Sequence, residues 1–62
     1  MMGFPAIPFK LCDFWSIERE AWNDGTLTVY GTLPGGDGAV ATFKRQSVPK
    51  GSWCAATLES RK

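Results

Sequence analysis

From Thr26 onward the chain alternates between apolar and polar positions. Leu27, Val29 and Leu33 interleave with Thr28, Tyr30 and Thr32. A period of two, rich in β-branched and aromatic side chains, predicts a strand. The stretch "LPGGDGA" (Leu33–Ala39) then breaks the pattern. Pro34 presets a turn, and Gly35, Gly36 and Gly38 tolerate positive φ. A second alternating run, "AVATFKRQ", sets Ala39, Ala41 and Phe43 against Val40, Thr42 and Lys44. After the turn residues "VPKGS", a third run, "WCAATLES", sets Cys54, Ala56 and Leu58 against Trp53, Ala55 and Thr57. Consecutive strands with short connections predict an antiparallel meander at about 26–33, 39–46 and 52–59.

The stretch "SIEREAWNDGTLTVYG" (Ser16–Gly31) admits two patterns. In the first, Asp13 caps a helix over 13–22, and Leu11, Phe14, Ile17 and Ala21 form one apolar stripe. Glu18, Arg19 and Glu20 cluster on its polar side, and Gly25 stops it. In the second, residues 14–31 form a hairpin. Trp15, Ile17 and Ala21 share a face, and Asn23-Asp24-Gly25 is a three-residue loop. Strict alternation then drops Arg19 onto the apolar face and leaves Phe14 and Trp22 among two glutamates. The helix segregates apolar from polar more cleanly. The expected fold is therefore α+β, one short N-terminal helix packed on a three-stranded antiparallel β-meander. The hairpin alternative gives an all-β small SH3/OB-like barrel. For the α+β fold, the expected core comprises Leu11, Phe14, Ile17, Ala21, Leu27, Val29, Ala41, Phe43, Cys54, Ala56 and Leu58.

With 62 residues the chain makes a single small domain, 1–62, with 1–9 as an extended arm shaped by Phe4-Pro5 and Ile7-Pro8. Phe4, Ile7 and Phe9 are placed to cover an apolar edge, in this copy or a second one. Three Trp, four Phe and one Tyr supply enough apolar material for a core. A domain of this size buries only about 60% of its unfolded surface, so added support or self-association is expected. The N-terminal residues lack the basic lead of a secretory signal, and no apolar run spans a bilayer. Two cysteines, Cys12 and Cys54, are too few for a disulfide scaffold, which suggests reduced thiols and a cytoplasmic location.

Charge and chemistry narrow the function classes. Histidine is absent, so no imidazole serves as general base, and two cysteines 42 positions apart make no standard zinc site. The "PGGDG" turn lacks the Lys-Ser/Thr pair of a phosphate loop. No enzyme, cofactor, metal or small-molecule substrate is expected. Binding surfaces remain. Trp15 and Trp22, with Tyr30, are candidates for contact with a larger protein partner or with a second copy, since exposed aromatics anchor interfaces. Size alone suggests an accessory or regulatory factor of the phage or plasmid type. Net charge is +1, yet it divides unevenly. Residues 1–38 carry −3 (Lys10 and Arg19 against Asp13, Glu18, Glu20, Asp24 and Asp37). Residues 39–62 carry +4 (Lys44, Arg45, Lys50, Arg61 and Lys62 against Glu59). Lys44, Arg45, Lys50 and Trp53 therefore make an alternative surface for single-stranded nucleic acid, where rings stack on bases and cations follow phosphates. Within it, "SVPKGSW" (Ser47–Trp53) resembles a hairpin in filamentous-phage single-stranded-DNA-binding proteins of the OB class. That likeness covers seven of 62 residues, and no function is carried over from it.

Overall fold

A computed structural model describes residues 7–61. Four strands, β1 (Ser16–Asn23), β2 (Thr26–Thr32), β3 (Gly38–Lys44) and β4 (Ala55–Arg61), form one antiparallel sheet in the order β1-β2-β3-β4. The expected α+β fold is overturned. Among the described residues the only helical segments are single 3-10 turns, Leu11–Asp13 and Lys50–Ser52. Residues 16–23, assigned to the helix, are an edge strand. Asp13 caps no helix. Its carboxylate accepts the Lys10 N–H at 2.9 Å, its own N–H donates to the Lys10 carbonyl at 2.9 Å, and together they close a tight turn.

The β1-β2 connection is a two-residue hairpin, shorter than the three-residue loop of the hairpin pattern. Asn23 pairs with Thr26, and Asp24 and Gly25 between them have φ of 54° and 76°. Two successive positive φ values are the demand of a type I′ turn, which Asp-Gly meets at low cost. The sheet does not close into a barrel. Among the described residues β1 pairs only with β2, and β4 among the strands only with β3.

One face of the sheet is covered and the other is open. Leu27, Val29 and Gly31 of β2, Ala39, Ala41 and Phe43 of β3, and Ala55 of β4 are buried on the covered face. The cover consists of the N-terminal arm and the loop before β4. The arm lies antiparallel to the start of β4. The Ile7 N–H donates to the Ala55 carbonyl, the Ala55 N–H to the Phe9 carbonyl, and the Leu11 N–H to the Trp53 carbonyl, at 3.2, 2.8 and 3.2 Å. It then inserts Leu11 and Phe14 into the core, with Phe9 edge-on to Phe14 at 5.1 Å between ring centroids. Ile7 and Phe9 pack against the core as expected for the arm, whereas Phe4 and Pro5 lie outside the described residues. The open face carries a row of Thr28, Thr42 and Thr57 across three strands, in which the Thr42 and Thr57 hydroxyls bond at 2.6 Å.

Several expected core positions are corrected. Ile17 is exposed, Ala21 and Cys54 are half-buried, and Ala56 is exposed, while Ala39, Trp53 and Ala55 join the core. Two β-bulges account for most of this. In β1, Ile17 pairs with Gly31 and Arg19 with Tyr30, so Glu18 is an extra residue. In β4, Thr57 pairs with Thr42 and Ala55 with Phe43, so Ala56 is extra. A bulge reverses the alternation beyond it. Leu58 therefore stays against the core together with Ala55, not with Cys54 and Ala56. The last strand also starts later than expected, because Lys50–Ser52 is coiled into a turn. The stretch Ser47–Trp53 is thus a strap ending in a 3-10 turn, not a hairpin.

Candidate functional site

The expected aromatic surface separates into two places. Trp15 and Trp22 stand at opposite ends of β1, which puts them roughly 20 Å apart at about 3.3 Å per residue. Tyr30 lies on the open face, half-buried, with the Arg19 guanidinium 5.1 Å from its ring centroid.

Trp15 is forced outward by its neighbour. Phe14 is extended, with φ −67° and ψ 140°, and points into the core, so the next side chain points to solvent. The Trp15 N–H is fixed on the Thr32 carbonyl at 2.7 Å. The indole is 76% exposed. Beside it the β2-β3 connection folds back: the Gly36 N–H donates to the Leu33 carbonyl and the Leu33 N–H to the Asp37 carbonyl, at 2.9 and 2.8 Å. Gly36 adopts φ 97°, a value that favours glycine. Between indole and turn lies a shallow, open, mainly apolar cleft of about 380 Å3, lined by Trp15, Thr32, Leu33, Pro34, Gly35 and Gly36. Thr32 also donates to the Glu18 carboxylate across 3.5 Å.

The other end of β1 meets the strap. Trp22 is 47% exposed and stands edge-on to Trp53, ring centroids 6.0 Å apart. The Arg45 guanidinium lies 5.3 Å from the Trp22 centroid, and the Lys50 ammonium is 2.9 Å from a Glu20 carboxylate oxygen. Lys44 ends β3 and is exposed. Trp53, chosen from sequence as a stacking ring, is 6% exposed and donates its ring N–H to the Val48 carbonyl at 2.9 Å. It anchors the strap in the core and offers no face to a ligand. Gln46 fastens the strap a second time. Its side-chain amide donates to the Cys54 carbonyl and accepts the Cys54 N–H, at 3.0 and 3.2 Å.

Sequence reasoning missed Leu33 and Pro34 as cleft walls. Pro34 beside two glycines signals a turn, and nothing local says which ring the turn will face. It also missed Glu20 as the partner of Lys50, 30 positions away. Both cysteines are free thiols, Cys12 exposed and Cys54 half-buried. Among the described residues no three of His, Cys, Asp or Glu gather as metal ligands, and no helix is long and apolar enough to cross a membrane. The chain matches no protein-family model, no curated protein and no solved structure.

Proposed function

We propose that the chain is a non-enzymatic accessory module that docks on a larger protein through the Trp15 cleft. The observation that supports this is a large indole left in solvent by a chain with little apolar material to spare. Burying such a side chain is worth about 1.5–3 kcal/mol, and this fold leaves that gain unused at Trp15. The backbone on both sides of the ring is tied down, so docking would cost little ordering of the site. Leu33 and Pro34 extend the apolar surface, and the cleft is shallow enough for one apolar side chain of an extended partner segment. Trp anchors flanked by apolar walls are the usual centre of binding energy in protein interfaces.

The test is capture from a host lysate on immobilised wild-type, Trp15→Ala and Trp22→Ala proteins, with sedimentation of the purified chain alongside. A species retained by wild type and Trp22→Ala but lost by Trp15→Ala is the expected result. Concentration-dependent dimerisation abolished by Trp15→Ala would assign the cleft to a second copy instead. Captured species that ignore Trp15, with a monomer at all concentrations, would refute the proposal.

A further inference from the structure

We infer that the open face of the sheet is a homodimer interface, where two copies pack face to face about a twofold axis that runs along the strands. This surface is independent of the Trp15 cleft. The register sets its central rows. Arg19, Tyr30, Val40 and Glu59 form one row across β1, β2, β3 and β4, and the threonine row lies beside it. Tyr30 and Val40 in the middle are half-buried, while Arg19 and Glu59 at the two edges are exposed. Opposite charges thus end a single row whose centre is aromatic and β-branched. Within one copy they cannot meet, because three strand spacings of about 4.8 Å hold them about 14 Å apart. Arg19 lies over the Tyr30 ring at 5.1 Å instead, and among the described residues neither charge has an ion-pair partner.

Charge and symmetry select the arrangement. A twofold interface sets residue i against j and j against i. An axis along the strands, between β2 and β3, lays β1 of each copy over β4 of the other. Arg19 then faces Glu59 of the second copy twice, and Tyr30 faces Val40 twice. An axis across the strands would set Arg19 over Arg19 and Glu59 over Glu59, and like charges oppose it. Sheets pack about 10 Å apart with their strands about 30° from parallel. That rotation shifts the ends of the row by about 4 Å, which the long arginine side chain spans. The other charges bordering the face lie at its two ends, Lys44 closing β3 and Glu18 against Thr32. Four strands over six residues give a face of about 19 by 20 Å. Two such faces, with their side-chain relief, bury roughly 1,000 Å2, the low end for a specific interface. The dimer is therefore weak and concentration-dependent, and it supplies burial that a domain of this size lacks alone.

The experiment is sedimentation equilibrium of the full chain from about 10 μM to about 1 mM, where an interface of this size should pass from monomer to dimer. Arg19→Glu and Glu59→Arg should each weaken dimerisation roughly tenfold, since each reversal changes two symmetry-related pairs. The double variant Arg19→Glu/Glu59→Arg should recover it, because the pairs re-form with their signs exchanged. Both positions are exposed, so these variants should remain folded by circular dichroism. Val40→Arg should abolish dimerisation by placing two cations at the centre, and Trp15→Ala should dimerise as wild type does. The inference falls if wild type is a monomer at the highest concentration, if the double variant is no better than the single ones, or if Val40→Arg dimerises normally. Dimerisation lost in Trp15→Ala would also overturn it, since the cleft would then hold the second copy.

Discussion

Gly31→Ala probes the closest contact in the fold. The segment Phe14–Ile17 crosses directly over Gly31. A Cβ there would overlap the Ser16 carbonyl oxygen, and it would lie 2.9 Å from Phe14 Cδ1 and 3.2 Å from Ile17 Cα. Two of these three obstacles are backbone, so no rotamer change relieves them. The start of β1 would have to lift off β2. Replacing a strand glycine gains about 0.5–1 kcal/mol in chain entropy, whereas overpacking a tight site costs about 1–3 kcal/mol. With backbone as the obstacle the cost lies near the upper end, and the net loss is roughly 2 kcal/mol. A chain of this length has about 3–9 kcal/mol of total stability. Urea titration followed by circular dichroism, with a slope of about 1 kcal/mol per molar for so small a domain, should show the midpoint falling by about 2 M. The Trp15 amide, bonded to Thr32 at 2.7 Å, should exchange faster in the folded variant. Gly35→Ala is the control. Its Cβ meets nothing within 4 Å and its φ is not positive, so it should gain about 0.4–1 kcal/mol. A midpoint for Gly31→Ala equal to or above wild type would refute the close crossing.

Gln46→Ala should lose about 1–3 kcal/mol by stranding the half-buried Cys54 N–H and carbonyl; a urea midpoint within error of wild type would show that water replaces the amide without penalty. Phe43→Ala empties the centre of the core, where Phe43 is fully buried, and a cost of about 3–5 kcal/mol should leave much of the population unfolded by proton NMR dispersion. Trp15→Ser should change stability by no more than about 0.5 kcal/mol, because the ring is mostly in solvent. A large loss there would mean that the indole packs in the monomer.

β2 and β3 were legible because each alternates without interruption, at Thr26–Thr32 and Gly38–Lys44, and the turn between them carries residues suited to turn geometry. Leu27, Val29, Ala41 and Phe43 were assigned to the core on that pattern and are fully buried. The first strand was not legible, and the cause is local. The bulge at Glu18 moves Ile17, Glu20 and Trp22 to one side and Arg19, Ala21 and Asn23 to the other. Spaced three and two apart, the residues on the covered side no longer alternate. Leu11, Phe14 and Ile17, each three apart, imitate a helical stripe, and Ala21, which completes that stripe in sequence, lies on the other side of β1. A one-residue insertion thus converts the signature of one element into that of another. The same device at Ala56 hid which alanine of β4 is buried. Trp53 was misassigned for a different reason. Aromatic residues beside lysines look alike whether the ring is a platform or an anchor, and only the Val48 carbonyl at 2.9 Å decides between them.

The placement of both exposed indoles at the ends of β1 follows from its being an edge strand. An edge presents unpaired backbone groups that invite strand addition by other chains. β1 counters this with consecutive charges at Glu18, Arg19 and Glu20 and with a bulge, two established deterrents. The middle of the strand is therefore protected against strand addition, and the exposed rings stand where the charges stop. At one end the arm delivers Trp15 outward because Phe14 must go inward. At the other the strap needs Trp53 for its anchor, which leaves Trp22 and Arg45 above it. At the far edge, the arm already occupies the N–H and carbonyl of Ala55. Each exposed aromatic is thus the outer neighbour of a buried one, and the core that stabilises the sheet also determines which rings a ligand can reach.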